Sequence, residues 1–78
     1  MKTIFIIFVT DAWNSNKQMI IVASTRKNGM KLLNTWIRKN HYDPLDQDDL
    51  ENLERINQTQ GRNVNFQIEP TEMNVIVG

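Results

Sequence analysis

Two stretches decide how this chain folds: Lys2-Thr-Ile-Phe-Ile-Ile-Phe-Val-Thr10 and, after a polar connection, Gln18-Met-Ile-Ile-Val-Ala23. Both are rich in Ile, Phe and Val, which suit a pleated, half-buried surface. Neither alternates apolar with polar residues, as a strand with one wet face does. A strand that is apolar on both sides needs cover on both sides. In a chain of 78 residues covering material is scarce, so the second cover is expected from another molecule.

The connection Asp11 to Lys17 holds one tryptophan, Trp13, among small polar residues. Its length suits an antiparallel hairpin with a loop longer than a tight turn. Ser24 or Thr25 can cap a following helix, because a side-chain oxygen there accepts from free backbone N–H groups. Met30, Leu33 and Ile37, widened by Leu32 and Trp36, recur at helical spacing and predict a helix over Arg26 to Asn40. Gly29 weakens it by roughly 1 kcal/mol relative to Ala. A second helix is predicted over Gln47 to Thr59. Asp46 is a good N-cap, Asp48 and Asp49 sit where the helix dipole favours negative charge, and Leu45 and Leu50 occupy the two positions of a hydrophobic staple. Leu50, Leu53 and Ile56 form its expected buried stripe, and Gly61 is the natural stop. Beyond it Val64, Phe66 and Ile68 alternate with Asn63, Asn65, Gln67 and Glu69, which predicts a half-buried strand. Pro70 lacks a ladder donor, so that strand bends, ends or lies at an edge. Met73 to Val77 could extend it or return as a short fourth strand.

The order strand, strand, helix, helix, strand predicts an α+β two-layer sandwich forming a single domain over residues 1–78. Two successive helices reverse the chain twice, so the last strand is expected parallel to the first in a mixed sheet. The first strand, apolar on both faces and uncharged between Thr3 and Thr10, is expected at the centre. Five basic and no acidic residues lie from Arg26 to Lys39, and six acidic and no basic ones from Asp43 to Glu54. Opposite charge along the rims of two neighbouring helices favours their pairing, although exposed pairs contribute only about 0–1 kcal/mol each.

Composition narrows the function classes. A domain this small buries only about 60–65% of its unfolded surface and is marginal without help. With no cysteine there is neither a disulfide nor a thiolate metal site. The formal net charge is zero, so there is no overall field to attract nucleic acid or membrane. The opening apolar run is too short for a membrane helix, and Asp11 closes it too early for a signal peptide. A cytoplasmic location is the expectation.

Chemistry-bearing residues are few. His41 is the one histidine, Asp43 is close to it, and no nucleophile motif surrounds any serine or threonine, so a triad is not expected. Asp43, Asp46, Asp48 and Asp49 suggest a calcium loop, but position six counted from Asp43 is Asp48 where glycine is needed, and Pro44 and Leu45 interrupt the ligands. Helix capping accounts for the same aspartates. With three glycines no phosphate-binding loop can be written. Asn57-Gln58-Thr59 fits the glycosylation pattern, which matters only in a secreted setting. No catalytic residue, metal, cofactor or small molecule is expected.

The segment Leu50-Glu-Asn-Leu-Glu-Arg-Ile-Asn-Gln-Thr-Gln-Gly61, the later Phe66-Gln-Ile-Glu69 and the opening Met1-Lys-Thr-Ile-Phe-Ile-Ile-Phe-Val-Thr-Asp-Ala-Trp13 resemble small uncharacterised proteins of gut anaerobic bacteria and their mobile elements. The resemblance covers most of the chain. It implies an opening strand pair followed by a helix, and no activity.

The sequence therefore predicts a non-enzymatic accessory or regulatory protein that works through protein contacts as a homodimer. One alternating set of the first strand (Phe5, Ile7, Val9 or Ile4, Ile6, Phe8) faces the helices and the other faces the partner or the C-terminal tail. Phe5, Ile7, Val9, Trp13, Ile20 and Val22 are the candidate interface. The alternative is a nucleic-acid face on the first helix, made by Arg26, Lys27, Lys31, Arg38 and Lys39, where basic side chains would meet phosphate.

Overall fold

The computed structural model describes residues 2–11 and 16–73, and Trp13 and the tail from 74 onward lie outside them. The elements are β1 (Lys2–Asp11), β2 (Gln18–Ala23), α1 (Arg26–Lys39), α2 (Gln47–Ile56) and β3 (Val64–Met73). One sheet in the order β2-β1-β3 places the doubly apolar β1 at its centre, as the sequence predicts. The architecture is α+β.

The sheet is wholly antiparallel rather than mixed. β3 pairs with β1 from Lys2↔Met73 to Asp11↔Val64 in the antiparallel sense. The extra reversal comes from the segment after α2. That helix stops at Ile56 instead of running to Thr59, because Asn57 takes the left-handed conformation at φ 61°. Residues 57–59 then run beside the start of β3. The Ile68 N–H donates to the Asn57 carbonyl at 2.7 Å and the Thr59 N–H to the Phe66 carbonyl at 2.9 Å, with Gln58 opposite Gln67. The chain turns back through Gly61 at φ 76° and enters β3. This rung of three residues is too short to show a period in the sequence, yet it decides the direction of the last strand.

β3 continues through Pro70, which stands opposite Phe5. A proline keeps its place in a ladder when its nitrogen faces an open edge, and β3 has a free edge beyond the rung. β2 carries a bulge: Ile7 faces Ile21 and Phe8 faces Met19, leaving Ile20 as the extra residue.

Ile7, Ile21, Ala23, Leu33, Ile37, Leu53, Phe66 and Ile68 form the core, with Phe5, Val9, Ile20, Met30, Trp36, Leu45 and Val64 packed against it. The set Phe5, Ile7 and Val9 therefore faces the helices. α1 delivers Gly29, Leu33 and Ile37 to the core. Leu32, expected to widen that stripe, is 48% exposed. α1 lies against the sheet at Gly29, where a Cβ would stand 3.4 Å from Ile7 Cδ1 and 3.6 Å from Ala23 Cβ. α2 contributes less than its pattern predicts, since only Leu53 of its three apolar residues is buried and Leu50 and Ile56 are exposed.

Polar pins hold α2 instead. The Asp46–Asp49 capping box closes its first turn, with the Asp49 N–H donating to Asp46 Oδ1 at 2.8 Å and the Asp46 N–H to Asp49 Oδ2 at 3.1 Å. Asp49 is itself buried and pairs with Arg62 at 2.6 Å. The same guanidinium donates to the carbonyls of Asp43, Pro44 and Val64, tying the loop before α2 to the start of β3. At the other end of α2, Arg26 of α1 donates to the Leu53 carbonyl and, at 2.9 Å, to Asn57 Oδ1. A cation at a helix C-terminus is favoured by the exposed carbonyls there.

Candidate interaction surfaces

The register fixes which side chains share the sheet face away from the core. Ile4, Ile6 and Phe8 of β1 alternate with the buried set. Val22 stands opposite Ile6 and Met19 opposite Phe8, while Thr71, Glu69 and Gln67 stand opposite Ile4, Ile6 and Phe8 on the other side. Ile4, Ile6 and Phe8 are half-buried, and Met19 and Val22 are 57% and 53% exposed. The apolar part of this face thus lies over β1 and β2, with polar side chains along β3.

One charged strut crosses the face. Lys17 Nζ stands 4.3 Å from the centroid of the Phe8 ring and 3.4 Å from Glu69 Oε2. Both charged side chains are well exposed, so the ion pair contributes at most about 1 kcal/mol and the cation–π contact a similar amount. The strut lies over Phe8 and does not reach Ile4, Ile6 or Val22, of which Val22 is the exposed one.

Of the residues expected at an interface, the structure keeps Val22 on the open face and removes four. Ile7 is fully buried, and Phe5 and Val9 pack on the core, because this set meets the helices. Ile20 also packs against the core as the bulge residue. Trp13 lies outside the described residues. The set Ile4, Ile6, Phe8 was legible as the other alternation of β1, and Met19 emerges only from the bulge, which places it opposite Phe8.

On the helix layer, Lys27, Lys31, Arg38 and Lys39 are exposed, and among the described residues none of them has a carboxylate within 4.0 Å. The expected pairing of α1 with the acidic α2 is replaced by the Arg26 link. Arg26 is thereby withdrawn from the basic face. Met30, Leu50 and Leu53 floor a shallow groove between the two helices, with Lys27 and Glu54 on its rims.

The lone histidine has a backbone role. α1 ends with the Tyr42 N–H donating to the Ile37 carbonyl at 3.1 Å and the His41 N–H to the Arg38 carbonyl at 3.2 Å, with His41 left-handed at φ 59°. That is a Schellman stop, and Tyr42 completes it by stacking on Trp36 at 5.5 Å between ring centroids. Trp36 in turn meets Phe66 edge-on at 5.9 Å. Asp43 offers its backbone carbonyl to Arg62. Among the described residues no group of three or more His, Asp or Glu side chains is gathered to hold a metal ion, and no helix is long and apolar enough to cross a membrane.

Comparisons with family models, with curated proteins and with solved structures find no match to this chain.

Proposed function

We propose that this protein is a non-enzymatic accessory or regulatory module that acts through protein contacts, as a homodimer joined through the open face of its sheet. One observation carries the reading: every outward residue of the central strand from Ile4 to Phe8 is apolar, and Met19 and Val22 extend that surface across β2. An antiparallel sheet with one wet face normally turns polar residues outward. Here only β3 does so.

The size of the face sets the strength of the contact. From Ile4 to Phe8 the strand rises about 14 Å, and three strands span about 10 Å. This footprint is well under the roughly 800 Å² per partner of a standard interface. The apolar strip is therefore the centre of the contact, and Lys17, Gln67, Glu69 and Thr71 form its polar rim. A contact this small stands at the weak end of protein interfaces.

Sedimentation velocity from about 1 to 200 µM tests this. A concentration-dependent dimer is expected, abolished by Ile6→Lys with the circular dichroism unchanged, because Ile6 lies outside the core. A monomer throughout that range would overturn the proposal, as would an Ile6→Lys dimer as stable as the wild type.

A further inference from the structure

The sequence carries nine Lys and Arg residues, and the structure assigns several of them internal work. Arg26 and Arg62 hold backbone carbonyls, Lys17 spans the sheet and Arg55 meets Asn52. Four of the others, Lys27, Lys31, Arg38 and Lys39, stand together on α1. Lys27, Lys31, Asn34 and Arg38 are spaced four, three and four residues apart, which puts them in one row on a helix surface. All four are exposed, and the row is about 16 Å long at 1.5 Å per residue. Lys39 stands beside its C-terminal end.

Cations in a row match a nucleic-acid strand, whose phosphates need positive charge along a line. Asp48, Glu51 and Glu54 are exposed on the neighbouring α2. A duplex is broader than the row and would bring its second phosphate strand toward these carboxylates. A single strand fits on α1 alone. We propose that the outward face of α1 binds single-stranded nucleic acid, with Lys27, Lys31 and Arg38 meeting phosphates along the strand and Lys39 flanking the last of them. The site lies on the layer opposite the sheet face and stands independently of the dimer.

Fluorescence anisotropy with a labelled 20-nucleotide single strand, DNA and RNA in turn, tests this on the full chain. Four phosphate contacts at a slope of about 0.7 each predict that affinity falls roughly 50-fold between 50 and 200 mM salt. The triple variant Lys27→Glu, Lys31→Glu, Arg38→Glu should lose binding while keeping its circular dichroism, since none of the three touches the core. Ile6→Lys should bind as the wild type does, which separates this site from the sheet face. Neutralising α2 with Asp48→Asn, Glu51→Gln and Glu54→Gln should raise duplex affinity toward that of the single strand. No anisotropy change up to 200 µM protein at 50 mM salt overturns the proposal. So does undiminished binding by the triple variant. Low-salt self-association that the triple variant abolishes, without binding of the oligonucleotide, overturns it in favour of a second copy's acidic helix on the row.

Discussion

Arg62→Ala is the severest test of how this small fold is held. Arg62 spans three parts of the chain: Asp49 in α2, the Asp43 and Pro44 carbonyls before it, and the Val64 carbonyl that begins β3. The exposed Asp43 and Pro44 carbonyls regain water when the guanidinium is removed, so each of those lost bonds costs about 1 kcal/mol or less. The Asp49 carboxylate is different. It is only 4% exposed and keeps one partner, the Asp46 N–H at 3.1 Å. Orphaning one member of a buried pair costs about 3–5 kcal/mol. Total stability for 78 residues at 0.05–0.15 kcal/mol each is roughly 4–12 kcal/mol. The substitution therefore removes a third of the stability or all of it. In urea, with a slope of about 1 kcal/mol/M for a small domain, the midpoint should fall by about 3 M or the folded baseline should vanish. The double variant Arg62→Ala, Asp49→Asn removes the stranded charge while keeping an acceptor for the cap, and should recover about half the loss. A shift below about 1 M for Arg62→Ala, or a double variant no more stable than the single, would refute the idea that a buried carboxylate is the source of the cost.

Other substitutions probe the backbone and the open face. His41→Gly should raise stability by about 1 kcal/mol in thermal or urea melts, because glycine takes the left-handed turn at φ 59° without a Cβ penalty. Gly29→Ala should stabilise by up to about 1 kcal/mol, since the added methyl meets Ile7 and Ala23 at ordinary contact distance, and a loss would show that α1 cannot yield at that point. Thr59→Ala strands the buried Phe66 N–H, which now donates to Thr59 Oγ1 at 2.9 Å, and should cost about 1–3 kcal/mol by urea melt. Lys17→Ala uncovers Phe8 and should tighten the dimer several-fold by sedimentation, the opposite of what Ile6→Lys does.

Some of this fold stands plainly in the sequence, and what does not has a physical cause. The strands, both helix starts and the central place of β1 follow from run length, composition and capping residues. These are local signals that need no knowledge of neighbours. The direction of β3 does not follow, because it rests on three residues that borrow hydrogen bonds from a distant strand. The end of α2 at Ile56 is hidden in the sequence for a related reason. Asn57 can occupy the left-handed region almost as glycine does, and it is rewarded there by Ile68 and Arg26. On β1 both alternations are apolar, so periodicity carries no information about which faces the helices. In the structure it is Phe5, Ile7 and Val9 that meet the core, with Ile7 lying against α1 at Gly29.

The two missed features of α2, its exposed Leu50 and Ile56 and its buried Asp49, are one fact viewed from two sides. A helix of ten residues that stops at Asn57 presents few turns to the core, and Leu53 alone of its apolar residues is fully buried. With little apolar area to hold it, its position depends on directional bonds at both ends: Arg62 on Asp49 at the start and Arg26 on Leu53 and Asn57 at the finish. These bonds use two arginines that composition alone would assign to a charged surface. They also leave the core dependent mainly on β1, β2, β3 and α1. Such a core is thin, and covering the opposite face of the sheet is a direct way for so short a chain to gain stability. Ile4, Ile6, Val22 and Met19 are the residues that cover would bury. Dimer formation and thermal stability should then rise together with protein concentration, so the melting temperature of the wild type, and not that of Ile6→Lys, should climb as the sample is concentrated.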